Sequence, residues 1–132
     1  MEADKPVKIL IVDDEPDMCW TLQLILQSRD YEVVSTTSGV HAWQLIAADG
    51  PWAVAFVDAK LPDLDGLELT DIIRQISPNT TIILVSGYFY KEDSAITHGL
   101  ETGRFAEFIA KPFDIERVRT LVRNAVQSMS GE

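Results

Sequence analysis

An α/β fold, with a parallel sheet covered by helices on both faces, is predicted by three observations. Short apolar runs rich in Ile and Val alternate with longer segments of helical periodicity from one end of the chain to the other. Three of those runs, KILIV, AVAFV and TIILV, are almost continuously apolar, as strands are when both faces are buried. The 132 residues suit one domain around one sheet. Five strand–helix units follow, and right-handed crossovers place their helices on both sides.

The first strand is KILIVD, and Pro16 then suits the first turn of a helix with Met18, Leu22, Ile25 and Leu26 on one stripe. EVVSTT is the second strand. Ser38-Gly39 open a second helix holding Ala42, Trp43, Leu45 and Ile46, and Gly50-Pro51 end the unit. AVAFVD is the third strand and LPDLDG the loop after it, where Asp65 and Glu68 have the spacing of a capping box. Leu69, Ile72, Ile73 and Ile76 follow at helical spacing until Ser77-Pro78-Asn79 stop them. TIILVS is the fourth strand. A weaker helix is expected from about Lys91 to Gly99, then a fifth strand, RFAEFIA. Asp114 caps a last helix carrying Ile115, Val118, Leu121, Val122, Ala125 and Met129. One domain over 7–129 is expected, with flexible ends at 1–6 and 130–132.

Composition narrows the function. A net charge of −10 argues against nucleic-acid binding by this chain. No apolar run approaches the roughly 20 residues of a membrane-spanning helix. MEADKP has no signal-peptide pattern, and Cys19 is the single cysteine, so a reduced, cytoplasmic setting is expected with Cys19 as a small buried hydrophobe.

The strand ends carry the chemistry. Asp13 and Asp14 follow KILIV, Asp58 follows VAFV, and Lys111 follows FIA. In an open parallel sheet the carboxyl ends of the strands line the ligand crevice. Three carboxylates crowded there repel one another unless a cation sits between them. The set therefore reads as a divalent-metal site with a phosphoryl acceptor in it. Singly, each residue has a plainer reading: a helix cap for Asp14 or Asp58, a turn residue for Ser86, a solvated cation for Lys111. Their joint occurrence at strand ends favours the site. Asp63 and Asp65 read as loop and cap residues, and His41 and His98 lack metal-ligand spacing.

KILIVDDE, AFVDAKLPDLDG, ILVSG and FIAKPF, in this order, resemble the receiver domains of two-component response regulators from about Lys8 to Met129. The resemblance implies a five-stranded sheet of flavodoxin-like order 2-1-3-4-5. It implies that Asp58 is the phosphoacceptor for a sensor histidine kinase or histidine phosphotransfer protein. It implies Mg²⁺ held by Asp14, Asp58 and the backbone carbonyl of Lys60, with Asp13 acting through water. Lys111 and Ser86 would contact phosphoryl oxygens, and Gly87 would leave room beside them. Ser86 and Phe108 would form a switch read by an unknown output domain or target on the fourth helix, fifth strand and fifth helix. A phosphorylation-dependent homodimer would use the same surface. Such a domain catalyses its own phosphorylation and dephosphorylation and is no enzyme in the ordinary sense.

Some residues keep two readings. Phe108 is equally a plain core residue, the side chain of Lys60 equally solvent-facing, and Glu15 could lie near the metal without being one of its ligands. The segment between Ser86 and Lys111 is longer than in typical receivers, with GLETGRFAE where Gly-Ala-Asp is usual. The cluster Tyr88, Phe89 and Tyr90 within it reads as a partner contact or a loop lid. A phosphorylation-independent pseudo-receiver is the alternative function, and the complete set of site residues argues against it. An aspartyl phosphohydrolase would commonly carry an acid where Lys60 stands. A flavin-binding protein would need a Ser/Thr/Gly-rich cradle where DDEPDM stands.

Overall fold

The computed structural model describes residues 5–87 and 94–130. Five strands alternate with five helices: β1 (Val7–Val12), α1 (Pro16–Ile25), β2 (Tyr31–Thr36), α2 (Gly39–Asp49), β3 (Val54–Asp58), α3 (Gly66–Ile76), β4 (Thr81–Ser86), α4 (Ser94–Thr102), β5 (Glu107–Ala110) and α5 (Ile115–Ser130). All strand pairs are parallel and the order is 2-1-3-4-5, as expected. The cluster Tyr88, Phe89 and Tyr90 lies outside the described residues, as do parts of the ends expected to be flexible. No helix among the described residues is long and apolar enough to cross a membrane.

The period-2 alternation of the strands divides the core in two. Ile9, Ile11, Val54, Phe56, Ile83, Val85 and Ile109 pack with Cys19 and Leu22 of α1, with Leu26 at its C-cap, and with Val118, Val122 and Ala125 of α5. Leu10, Val12, Ala55, Val57, Ile82 and Leu84 pack on the opposite face with Ala42 and Ile46 of α2, Leu69 and Ile73 of α3, and Ile96 of α4. This accounts for the unbroken apolar runs of β1, β3 and β4: each residue faces one core or the other.

Two boundaries differ by three residues from the sequence reading, and one helix cap is made differently. α4 runs to Thr102, three residues beyond Gly99. β5 begins at Glu107 instead of Arg104, because Phe105 is used otherwise: it is buried in the second core, under α4. A Cβ at Gly99 would overlap the Phe105 ring, so a helix residue without a side chain is what admits the phenyl group. Arg104 is likewise held off the sheet, its guanidinium bound by two hydrogen bonds of 2.8 Å to the Asp71 carboxylate on α3. At α3 the expected cap is present, but Asp65 Oδ1 accepts from the Leu67 amide at 2.8 Å instead of the third-residue amide of a capping box.

Candidate functional site

The strand alternation selects the face on which the site is built. Asp13 continues the parity of Ile9 and Ile11, Asp58 that of Val54 and Phe56, and Lys111 that of Ile109. All three therefore belong to the α1/α5 side, at the carboxyl edge of neighbouring strands β1, β3 and the strand beyond β4. The chain turns into α1 and α5 there, which covers Asp13 and Asp58; their exposures are 2% and 6%.

Lys111 Nζ lies 2.9 Å from Asp13 Oδ2, 3.2 Å from Asp58 Oδ2 and 3.0 Å from Glu15 Oε1. The Asp13 and Asp58 carboxylates each also bind the chain just beyond them: Asp13 Oδ1 accepts from Glu15 N at 2.9 Å, and Asp58 Oδ1 from Lys60 N at 3.0 Å. Asp14 is exposed, and carboxylate oxygens of Asp13, Asp14 and Asp58 all lie within 4.8 Å of one another. The cleft in front of them measures about 440 Å³ and is lined by Asp14, Glu15, Asp58, Lys60, Leu61, Pro62, Gly87 and Lys111.

Acids outnumber cations in this cleft: Asp13, Glu15 and Asp58 contact the Lys111 ammonium, Asp14 stands beside Asp13 and Asp58, and Lys60 also lines the wall. Burial pushes the Asp58 pKa up to about 6, with the Asp13 charge adding to the rise; the Lys60 amide and Lys111 only partly oppose it. Burial works against the Lys111 cation, but its hydrogen bonds to Asp13 and Glu15 and the charges of Asp13 and Asp58 outweigh it. Its pKa is held above the ordinary lysine value. Such an oxygen-lined, electron-rich cluster can hold a divalent cation, since hard cations take carboxylate oxygens and relieve their mutual repulsion.

Ser86 is wholly buried at the end of β4, one residue beyond Val85, the β4 partner of Asp58. Its parity is that of Ile82 and Leu84, and its carbonyl accepts from Lys111 N at 2.8 Å, which fixes the backbone that carries the lysine. Phe108 is half-buried against the second core, on the face opposite Asp58. Cys19 is buried as expected; its thiol donates to the Asp13 carbonyl at 3.4 Å, and burial pushes its pKa up.

Gly66 sets how closely α3 starts behind Asp58. Its amide donates to Ala59 O at 3.1 Å, and a Cβ there would overlap the carbonyl oxygen of Asp58 and the backbone of Ala59. Main chain cannot rotate away as a side-chain tip can. Gly66→Ala is therefore expected to lower stability by roughly 3 kcal/mol, measured from the denaturant midpoint.

The sequence profile of the response regulator receiver domain matches residues 9–123. The chain belongs to this family. The receiver is 35% identical over 125 residues to the response regulator protein PilR of Pseudomonas aeruginosa, a match covering 95% of this chain and 27% of PilR. It is 31% identical over 116 residues to the sporulation initiation phosphotransferase F of Bacillus subtilis, covering 88% of this chain and 90% of that one. The chain thus spans about a quarter of PilR and nearly all of the phosphotransferase. Among solved structures it is similar to the signal receiver domain of an HD domain-containing protein from Pseudomonas fluorescens Pf-5. That likeness has 26% identity and a TM-score of 0.85, over 97% of this chain and 100% of the other.

The receiver's strand-end acids and lysine thus meet as the sequence suggested. The contact of Glu15 with Lys111 spans 96 residues of chain, and no spacing rule announces it. Asp63 lies in the loop after β3, as expected, and its carboxylate also accepts from Ser38 Oγ and the Gly39 and Val40 amides at the start of α2.

Proposed function

We propose that Asp58 accepts a phosphoryl group from a phosphohistidine on a sensor histidine kinase or histidine phosphotransfer protein, in a receiver domain spanning 7–129. The observation that carries this is the setting of Asp58: Oδ1 tied to the Lys60 amide, Oδ2 3.2 Å from Lys111 Nζ, at the wall of a solvent-open cleft. A carboxylate oxygen of Asp58 attacks phosphorus, the phosphorus–nitrogen bond breaks, and the electron pair leaves with the imidazole. The product is an acyl phosphate.

Phosphoryl transfer is promoted mainly by positioning and by neutralising charge. Lys111 contacts one phosphoryl oxygen and the Ser86 hydroxyl another, while Gly87 leaves space. Asp14, Asp58 and the Lys60 carbonyl would hold Mg²⁺, with Asp13 reaching it through water. When bound, the ion supplies positive charge to the phosphoryl oxygens and to the crowded carboxylates. The domain catalyses only its own phosphorylation and dephosphorylation. Movement of Ser86 toward the phosphate and inward turning of Phe108 then alter the surface of α4, β5 and α5, which an output domain, a target protein or a second copy reads. The cytoplasm is the setting of this reading.

The test is incubation with Mg²⁺ and a small acyl phosphate, followed by intact-mass measurement. One labile phosphoryl adduct, lost when the metal is chelated beforehand, is expected. No adduct together with no metal binding would favour the phosphorylation-independent pseudo-receiver.

A further inference from the structure

The loop from Ala59 to Asp65 forms one wall of the cleft, through Lys60, Leu61 and Pro62. Its inner end is fixed by β3 and β4: the Ala59 amide donates to Val85 O at 2.8 Å, and the Lys60 amide to Asp58 at 3.0 Å. Its outer end is fixed by a distant element. The Asp63 carboxylate accepts from Ser38 Oγ at 2.9 Å, Gly39 N at 3.0 Å and Val40 N at 3.1 Å, all at the start of α2. Ser38 is also the N-cap of that helix, accepting from His41 N at 3.1 Å.

Packing reinforces this tether. A Cβ at Gly39 would stand 2.9 Å from Leu64 Cβ and 3.3 Å from Leu61 Cδ1, so the loop's apolar side chains press directly on the helix start. A carboxylate is well suited to the place, since free amides and the positive end of the helix dipole favour an anion. The amides of Val40 and Gly39 and the Ser38 hydroxyl accordingly hold the Asp63 pKa below its ordinary value. The loop is thus clamped at both ends, with the cleft wall between.

We propose that Asp63 is a positioning residue for phosphoryl acceptance: by tying the β3–α3 loop to the start of α2, it holds Lys60 where the acceptor and the cation need it. It touches no reacting atom. The inference rests on the metal-dependent phosphoacceptor reading given above. It assigns a task to α2 that its place beside the sheet does not suggest, and makes Ser38 the other half of the same tether.

The experiment compares wild type, Asp63→Ala, Asp63→Asn and Ser38→Ala, with Asp114→Ala as a control that removes a cap from α5. Amide hydrogen exchange is measured on the metal-free proteins, Mg²⁺ binding by titration calorimetry, and adduct formation by mass with a small acyl phosphate. In Asp63→Ala the amides of Gly39, Val40 and also Lys60 should exchange at least tenfold faster, and Mg²⁺ affinity should fall about three- to tenfold. Adduct formation at saturating Mg²⁺ should slow by a similar factor. Asp63→Asn, with one acceptor oxygen, and Ser38→Ala should fall between this and wild type, and should serve if the alanine variant at 63 does not fold. Asp114→Ala should leave affinity unchanged. Faster exchange confined to Gly39 and Val40, with Lys60 and Mg²⁺ affinity as in wild type, would reduce Asp63 to a helix cap and overturn the positioning role alone. Wild type that binds no Mg²⁺ and takes no phosphate would overturn the functional reading and the proposal with it.

Discussion

Asp58→Asn is expected to abolish the phosphoryl adduct. The amide oxygen is a far weaker nucleophile than a carboxylate, and no acyl phosphate can form on it. The neighbouring acids do not replace it. Asp13 is buried, with Oδ2 on Lys111 and Oδ1 on the Glu15 amide, and Asp14 is exposed at the rim without a described cation against it. The shape of the site should survive, because an amide oxygen still accepts from the Lys60 amide and the volume hardly changes. Intact mass after incubation with Mg²⁺ and a small acyl phosphate should show labelling reduced at least a hundredfold, about 3 kcal/mol in barrier terms. An undiminished adduct would place the acceptor elsewhere, with Asp14 the first residue to examine.

The same substitution should make the metal-free protein more stable. Asp58 has its pKa raised from 3.8 to about 6 in the folded state, first by burial and then by Asp13. A group protonated more readily when folded costs stability as pH rises. Below about pH 4 both states carry the proton and the difference vanishes. Between about 4 and 6 only the unfolded chain releases it, and above 6 the loss is complete. The loss is on the order of 1–3 kcal/mol at pH 7. Lys111, its pKa raised, keeps its charge throughout that window and does not mask the effect. Asparagine cannot ionise, so the gap between variant and wild type should open from near zero at pH 4 to its full value at pH 7. Saturating Mg²⁺ should then close it: a ligand at 100 times its Kd adds about 2.7 kcal/mol to the form that binds it. Urea denaturation at both pH values, with and without the ion, measures all of this. A variant less stable than wild type at pH 7 without metal would show that Lys111 outweighs the crowding.

The alternation of apolar runs and helical stripes was enough to read five strand–helix units, because burial on both faces of a sheet imposes a pattern that few other folds share. Placement of Asp13, Asp58 and Lys111 at strand ends was equally legible, since period-2 alternation fixes which side of a sheet a residue takes. Phe105 is not legible for a related reason. RFAEFIA has strand-like composition throughout, and nothing local says that the ring is better buried beneath Gly99 than paired in β5. Propensity describes a residue's own backbone, whereas the ring's position is decided by a gap in a helix several residues earlier.

What the sequence by itself determined is the fold class, the order of chemistry-bearing strand ends and the family they belong to. Tertiary structure alone decided how those groups are held. Lys111 meets Asp13 across 98 residues, Asp58 across 53 and Glu15 across 96, and Asp63 reaches back 23 to 25 residues to α2. Hydrogen bonds and ion pairs act over a few ångströms, irrespective of separation along the chain. Periodicity can state which face a side chain takes. Which partner it finds there depends on how neighbouring strands and helices are registered, and that is set by the packing of the whole domain.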